Sequence, residues 1–418
     1  MRVLISGAGI AGPALALWLH RAGADVTVVE KAATPRPGGH AVDVRGVARR
    51  VIEKMGVREA IRQKQIDDRG FALVDARGRR MAALPADMFG GEGIVAEIEI
   101  ARGDLARVLY DATAPNVTYR FGDRITAIDR RDVTFAGGHR EEFDVVVGAD
   151  GVRSGVRRIA FGPHTDYVRP LGGYSSYFTV PDPGDLGNWS TMYNAPGGRA
   201  VLVRPEAGGT AKASLSFRTR EVFDRLTREE QIRLLTERFA GVGWRVPSLL
   251  ADLPKADDLY FDEVSQVHVE KWARGRVVLL GDAGYCGSPL GGMGTSMSLV
   301  GAYVLAGELS ASKSPEEAFA AYQRQMADYV AEGTRLPPGG IAMSAPNNPI
   351  LIRARALSMA MMNRWPMKQM LAKQFGKADA ITIEDYPRLS QHDQPVQHDP
   401  RALDLDPYRV RTAGGPGA

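Results

Sequence analysis

Three glycines near the start of the chain have the spacing of a phosphate-binding turn. Gly7, Gly9 and Gly12 follow an apolar run at residues 3–5 and precede a helical apolar pattern at residues 14–22. Gly7 permits a tight turn out of a strand, and Gly9 leaves room for a pyrophosphate against the backbone. Gly12 lets the helix lie close to the sheet, with its first amides facing the phosphates. The pattern therefore predicts a dinucleotide site.

An acidic residue follows the second predicted strand, at residues 25–29. A carboxylate in this place, that of Glu30, accepts hydrogen bonds from a ribose 2′-hydroxyl and repels a 2′-phosphate. The site is therefore expected to hold FAD or NAD rather than NADP. An alternative interpretation of Arg2 and the apolar run after it is an export signal peptide instead of the first strand of a nucleotide site. The fixed glycines, and the lack of a small-residue cleavage site, argue against that alternative.

A second glycine turn lies in the sequence DVVVGADGVRSGVRR, at residues 144–158. The apolar run at residues 145–147 predicts a parallel strand that is buried on both faces, and a helix is expected to start near Ser154. Ligands bind at the carboxyl ends of such strands, so Asp150 is a candidate cofactor contact. Its alternative role is to cap the helix.

A third motif, at residues 274–309, combines a strand at residues 277–280 with Asp282, a glycine-rich loop and a helix that begins with small residues. Small residues at a helix start let a flat ring approach the backbone amides, and the helix dipole there favours negative charge. This end would suit the pyrimidine side of a reduced flavin. Asp282 is placed to accept hydrogen bonds from sugar-alcohol hydroxyls.

Composition limits the remaining classes of function. The chain has 418 residues, 44% of them apolar, and a net charge of +4 without long blocks of like charge, which disfavours a nucleic-acid partner. Its single cysteine, Cys286, excludes an internal disulfide and is expected to be a packed residue rather than a covalent flavin link. Scattered histidines predict no metal site. Residues 283–307 carry no charge, but their seven glycines favour a cofactor-lining segment over a membrane span. We expect a cytoplasmic monomer or homodimer.

Hydrophobic patterns predict the secondary structure between the motifs. The predicted elements are helices at 47–64, 99–112, 228–239, 315–332 and 349–373, a hairpin at 71–84, and antiparallel strands between 170 and 262. Methionines of the last helix, including Met359 and Met361, are expected to pack in a core, although they would also suit a pocket for flat substrates. Residues 378–418 show little periodicity and are expected to form a poorly packed arm.

The three motifs in this order resemble those of the class A flavoprotein monooxygenases, the family that includes para-hydroxybenzoate hydroxylase and the tetracycline-inactivating monooxygenases. The resemblance spans residues 1–329, where GADGVRSGVR (148–157) is similar to the DG motif, and LLGDAG with GGMGTS (279–296) to the GD motif. The segments GGHAVDVRG (38–46) and EIARGDLARVL (99–109) are most similar to the tetracycline-degrading branch.

This resemblance implies an α/β fold with a Rossmann-like FAD-binding domain, an inserted, mainly antiparallel β-sheet substrate domain and C-terminal helices. The expected boundaries are 1–70, 96–168 and 265–335 for the FAD-binding domain, 71–95 and 169–264 for the substrate domain, 336–376 for the helical segment and 377–418 for the tail.

Site residues also follow from the resemblance. Arg102 would reach the flavin, Asp282 would hold the ribityl chain, and Arg45 and Asp150 would serve FAD and the passing nicotinamide, with a surface salt bridge as the alternative for Arg45. The residues expected to bind non-covalent FAD are Gly7, Gly9, Ala11, Gly12, Glu30, Lys31, Arg45, Arg102, Asp150, Asp282, Gly294 and Thr295. The candidate substrate residues are Tyr174, Arg199, Lys212 and Pro289. For Arg199 and Lys212 the alternative is a solvated charge on a strand.

The third motif departs from the family pattern at three positions. This chain has Tyr285 where the family has histidine, Met293 where it has glutamine and Ser296 where it has asparagine. Backbone contacts at Gly294 and Thr295 need no particular side chain, so FAD binding is expected to survive these changes.

The resulting hypothesis is an NAD(P)H-consuming monooxygenase. NADH or NADPH would dock transiently and reduce FAD, and a flavin C4a-hydroperoxide formed with O₂ would hydroxylate an aromatic or polycyclic phenolic small molecule, such as a polyketide or an antibiotic. Baeyer–Villiger insertion would use the same peroxide. Two rival hypotheses are an FAD-dependent reductase of isoprenoid double bonds and a non-catalytic flavin-binding regulator. The sequence assigns no catalytic acid or base.

Overall fold

Two large β-sheets, each with its own hydrophobic core, organise the computed structural model, which describes residues 1–35, 39–89, 96–206, 208–223, 225–362 and 376–390. The strands are β1 Arg2–Ser6, β2 Asp25–Glu30, β3 Ala41–Val44, β4 Gly70–Val74, β5 Arg80–Pro85, β6 Ile98–Ala101, β7 Thr118–Phe121, β8 Ile125–Asp129, β9 Asp132–Phe135, β10 Arg140–Glu142, β11 Val145–Gly148, β12 Val168–Pro181, β13 Trp189–Ala195, β14 Arg199–Glu206, β15 Thr210–Arg218, β16 Tyr260–Val267, β17 Ala273–Arg274 and β18 Val277–Leu279. The helices are α1 Ala11–Arg21, α2 Val47–Met55, α3 Arg58–Gln63, α4 Arg102–Thr113, α5 Gly155–Ala160, α6 Arg228–Phe239, α7 Val246–Asp252, α8 Asp282–Tyr285, α9 Gly294–Ala311, α10 Pro315–Gly333, α11 Gly340–Ser344, α12 Pro349–Met361 and α13 Pro387–Ser390.

The first sheet is mainly parallel and has the strand order β17-β18-β11-β1-β2-β7. Its three central strands come from the three motifs, since β1 pairs in parallel with β11, and β11 with β18. All three are continuous apolar runs buried on both faces, as parallel strands between helices require. Their carboxyl ends therefore lie side by side.

The second sheet is mainly antiparallel and has the order β16-β12-β15-β14-β13-β4-β5. Apolar side chains of one face pack against α6 and α7, where Phe178, Leu215 and Phe239 are almost completely buried. The opposite face carries polar side chains toward the first sheet, and part of it is covered by α12. Five of its strands, β12–β16, are inserted between β11 and β18 of the first sheet, and the hairpin of β4 and β5 is inserted between β2 and β7. This arrangement confirms the predicted α/β fold class, while the domain boundaries stay predictions.

Two predicted helices differ from the structure. The helix expected at 47–64 is broken into α2 and α3, because Gly56 between them adopts a left-handed conformation with φ of +73°. The helix expected at 99–112 begins only at Arg102. Its first residues belong to β6, since Ile98 and Ile100 alternate with Glu99 and pair with β3.

The segment 376–390 packs on the core, so the expectation of a poorly packed arm is wrong for residues 378–390. Tyr386 fills the space above Gly307, where a Cβ would lie 2.2 Å from its ring, and its hydroxyl donates to Glu308 at 2.8 Å. Ala378 and Leu389 are each 1% exposed. The rest of the predicted tail, and residues 363–373 of the Met-rich helix, lie outside the described residues. Met359 is buried in a small core, as expected, but Met361 is 40% exposed, so the core prediction is wrong for Met361.

Within the described ranges, every helix is too short or too polar to cross a membrane.

We predict that Tyr386→Ala lowers the free energy of unfolding by about 3 kcal/mol, because it empties a buried aromatic site and removes one of the two hydrogen bonds that the Glu308 carboxylate accepts, the other being donated by Gln325. Urea denaturation measures the change. Asp385→Ala is the control: this neighbouring residue forms an exposed ion pair with Lys54, and its loss is expected to leave the denaturation midpoint near that of the wild type. Equal stability of the Tyr386→Ala variant and the wild type would show that the segment does not hold the core.

Candidate active site

The turns of all three motifs meet at the carboxyl edge of the parallel sheet. Gly7 has a φ of +110°, and a Cβ there would lie 2.4 Å from the carbonyl oxygen of Ala149, so the first turn packs directly on the second. A Cβ at Gly281 would lie 3.3 Å from the Cβ of Ala11, which brings the third motif against the first helix. Distant parts of the chain therefore form one site.

The first glycine turn fits a pyrophosphate. A Cβ at Gly12 would lie 1.9 Å from the carbonyl oxygen of Gly7, so only glycine permits this close approach of α1. A Cβ at Gly9, by contrast, would have Nη2 of Arg102 as its nearest neighbour, at 3.4 Å, so the space beside Gly9 is more open. The N-cap residue of α1, Ile10, makes no side-chain capping bond, and the first turn of α1 has no acidic residue. Amides at this helix end are therefore suited to hold phosphate oxygens.

The carboxylate of Glu30 fixes the glycine turn to the end of β2. It accepts hydrogen bonds from the amides of Ala8 and Ala32, each at 2.9 Å. Lys31 beside it is exposed. A carboxylate has lone pairs beyond these two bonds, so Glu30 remains a candidate ribose ligand.

Asp150 makes the contacts of a helix cap. Its carboxylate accepts hydrogen bonds from the hydroxyl of Ser154 and from the amides of Gly155 at 2.8 Å and Val156 at 3.1 Å. Burial raises the pKa of Asp150, and these hydrogen bonds act against the rise. Within the protein, Asp150 therefore caps the helix, as the alternative prediction has it. A contact between Asp150 and the cofactor stays a prediction.

The third motif provides a half-buried carboxylate, that of Asp282, and a helix end. Burial raises the pKa of Asp282, and the nearby charge of Arg102 opposes this. A Cβ at Gly294 would lie 3.7 Å from Oδ1 of Asp282. The N-cap residue of α9, Met293, makes no side-chain capping bond, so the first amides of α9, those of Gly294 and Thr295 among them, lack a side-chain acceptor from it. Uncapped amides and an adjacent carboxylate fit the flavin and sugar-alcohol parts of FAD.

Ser296 links α9 to the loop before α2. Its hydroxyl accepts a hydrogen bond from the amide of Arg45 at 3.0 Å. The Arg45 guanidinium forms an ion pair with Asp43 at 2.7 Å, but only 10% and 19% of the two side chains are exposed, so this is not the surface salt bridge of the alternative prediction. Ser296, one of the three departures from the family motif, thus forms a hydrogen bond that joins two parts of this chain. The neighbouring Tyr285 is likewise buried, with its hydroxyl 2.7 Å from that of Tyr322.

A buried polar cluster on the second sheet was missed by the sequence analysis. Arg204 forms an ion pair with Glu99 at 2.8 Å, with only 7% and 12% of the side chains exposed. Nε of Arg204 is buried and has no hydrogen-bond partner within the described residues. Burial raises the pKa of Glu99, while Arg204 opposes the rise. The one available signal was an arginine in the otherwise apolar run of β14.

His40 lies at the junction of this cluster with the cofactor site. Its ring packs on that of Tyr177 with centroids 5.0 Å apart. Burial, helped by the charges of Arg102 and Arg204, lowers the pKa of His40 to about 4. The imidazole is therefore neutral at pH 7 and has one donor and one acceptor nitrogen.

Two of the predicted substrate residues, Tyr174 and Arg199, lie on the face of the second sheet that packs against helices. Tyr174 stacks on Phe261 at 5.2 Å on the face covered by α6, opposite to Tyr177. Arg199 donates to the carbonyl oxygen of Arg238 in α6 at 3.1 Å. These positions argue against substrate contact for both residues.

The other two candidates lie nearer the expected side. Lys212 shares the polar face with Arg204, but it is buried and donates to Thr179 and Asp258, each at 2.7 Å. It is therefore neither a solvated charge nor a group without a partner. Pro289 is exposed in the loop that follows the GD turn.

Comparison with known proteins agrees with this geometry. The model of the FAD binding domain family matches residues 1–335. An uncharacterised protein of Mycobacterium tuberculosis is 41% identical over 351 residues, which cover 82% of this chain and 94% of that protein. A flavin-dependent monooxygenase of Legionella longbeachae is 34% identical over 336 residues, covering 79% and 86%. The crystal structure of tetracycline destructase Tet(51) has a TM-score of 0.77 at 31% identity, covering 92% and 99%.

The family match, the fold and the relatives all support the flavoprotein hypothesis, and they favour monooxygenation over the reductase and regulator hypotheses. Uncapped helix ends at two glycine turns, with the Asp282 carboxylate between the sheets, fit FAD. The chain belongs to the FAD binding domain family and is an FAD-dependent monooxygenase of the class A type.

Proposed function

We propose that this monooxygenase hydroxylates an aromatic or polycyclic phenolic compound and consumes NADH or NADPH and O₂. The observation that carries this proposal is the polar cluster of buried Arg204 with half-buried His40, Glu99 and Tyr177, which borders Arg102 of the cofactor site. When bound and reduced, FAD supplies the activation of O₂. The chain supplies binding, orientation and exclusion of water.

The cofactor side of the site carries positive charge that favours an anionic group. The amino end of α9, at Gly294 and Thr295, directs its amides and positive dipole toward the place proposed for the flavin pyrimidine. The Arg102 guanidinium approaches Gly9, where its Nη2 would lie 3.4 Å from a Cβ, and its charge opposes the rise that burial causes in the pKa of Asp282. Negative charge on the bound group is stabilised by both features.

The substrate side can recognise a phenol or an enol. The free Nε–H of Arg204 is a buried donor that gains a partner when a substrate oxygen approaches, which offsets its desolvation. The neutral imidazole of His40 can accept a hydrogen bond from a hydroxyl group. The ring of Tyr177 beside it gives a flat apolar wall. Similarity to a tetracycline destructase supports flat polycyclic phenols as the first class to test.

The proposed function is tested by following NADH and NADPH oxidation by the FAD-loaded protein with a panel of flat polyphenols that includes tetracyclines. We expect at least one compound to stimulate oxidation tenfold or more, and its product formed under ¹⁸O₂ to gain one labelled oxygen. A phenol-independent oxidation, or a reduced product without labelled oxygen, would contradict hydroxylation.

Replacing Glu30 tests the FAD site. We predict that Glu30→Ala raises the Kd for FAD at least tenfold, about 1.4 kcal/mol, because the glycine turn loses the carboxylate that holds the amides of Ala8 and Ala32. Quenching of flavin fluorescence by the apoprotein measures Kd. Asp25→Ala, at the exposed opposite end of β2, is expected to bind like the wild type. Equal loss in both variants would assign the effect to the strand.

Replacing Arg204 tests substrate recognition. We predict that Arg204→Lys raises KM for a phenolic substrate about tenfold with little change in kcat, because lysine keeps the charge near Glu99 but lacks the planar fork and the free Nε–H. Steady-state kinetics give both constants. Arg199→Lys, on the opposite face of the same strand, is the matched control and is expected to keep the wild-type KM. An unchanged KM in Arg204→Lys, or an equal rise in the control, would refute the assignment.

A further inference from the structure

A second cavity lies on the helix-covered side of the seven-stranded sheet, away from the polar face with Arg204. Its volume is about 360 Å³, within the range of small-molecule pockets. The floor is formed by Ala72 and Val74 of β4 and Thr191 of β13. The hairpin turn between β4 and β5 and the loops before β13 and α7 form the rim. None of the described residues that line it belongs to the proposed FAD or substrate site.

The rim carries an excess of positive charge. Arg77, Arg80 and Arg245 line the cavity together with one acidic residue, Asp185, which pairs with Arg245. Nε of Arg245 is buried and lacks a hydrogen-bond partner in the part of the chain that the structure describes. The Arg80 guanidinium lies 4.4 Å from the ring centroid of Trp189, a contact that does not neutralise its charge. Such a rim attracts an anion.

One wall is an indole held in an unusual conformation. Trp244 has a φ of +57°, a region that bulky residues rarely adopt. Its amide donates to the carbonyl oxygen of Ala76 at 2.9 Å, and a Cβ at Gly78 would lie 3.4 Å from its ring, so the hairpin turn fixes it in place. Strained residues of this kind cluster at ligand sites. Here the conformation brings a flat apolar surface beside the arginines.

We propose that this cavity binds a small aromatic carboxylate. A carboxylate matches the planar guanidinium groups of Arg245 and Arg77, which both line the cavity. The aromatic ring lies over Ala72 and Val74 against Trp244. The half-buried indole of Trp244 favours an aryl acid over inorganic phosphate, which would leave the indole uncovered. The inference is independent of the function proposed for the FAD site.

Calorimetric titration of the FAD-loaded protein with benzoate tests the proposal. Arg245→Gln and Arg77→Gln are each expected to weaken binding at least tenfold. Arg79→Gln is the matched control, because Arg79 lies in the same hairpin turn but pairs with Asp75 outside the cavity, and it is expected to bind within twofold of the wild type. Arg77 is exposed, so its variant keeps the test valid if Arg245→Gln does not fold.

Two further readouts locate the probe. Benzoate in this cavity is expected to quench tryptophan fluorescence in the wild type but much less in Trp244→Phe, and to leave the visible flavin spectrum unchanged. Binding that shifts the flavin spectrum and survives Arg77→Gln would place the probe in the active site and overturn the proposal. Equal affinity for benzamide or for inorganic phosphate would also overturn it, because either result removes the requirement for an aromatic acid.

Discussion

The close packing of backbone turns at the edge of the parallel sheet is the constraint on which the rest of the structure depends. Gly12 lies over the carbonyl of Gly7, and Gly7 lies against Ala149, at distances that leave no room for a Cβ. These contacts join the carboxyl ends of β1 and β11 and place α1 with its amino end open toward the site. A side chain at either glycine would push the turns apart and remove the phosphate site with them.

The second sheet contributes a charged and polar face next to the cofactor site. Its helix-covered face has an apolar core, and its other face buries an Arg204–Glu99 ion pair next to His40. Buried ion pairs contribute little net stability, since desolvation offsets their attraction. Their retention beside a cofactor site is better explained by recognition of a polar substrate. We therefore propose that the first sheet binds the cofactor and that the second forms the substrate side of the site.

Much of the cofactor site was predictable because its signals are local. The glycine spacing, the acid at Glu30 and the apolar runs of three or four residues are each specified by one short stretch of sequence. The substrate side was not predictable in the same way. Tyr174 and Arg199 were proposed without knowledge of strand register, and a one-residue difference in register decides which face a side chain occupies. His40, Glu99 and Arg204 come together only through pairing of distant strands.

The C-terminal segment illustrates the same limit. Residues 378–390 lack helical or strand periodicity, yet Tyr386 fits above Gly307 and reaches Glu308. A single aromatic residue in a complementary space leaves no periodic signal. Secondary-structure patterns report repeated contacts, whereas this segment is held by a few separate ones.

A crystal structure of the protein with FAD bound tests the central claim most directly. The account predicts one FAD whose adenosine end lies at Glu30, whose pyrophosphate contacts the amides at the start of α1, and whose ring lies between the amino end of α9 and the face with His40. An FAD bound elsewhere, or one that leaves Gly9 and Asp282 in separate cavities, would contradict it.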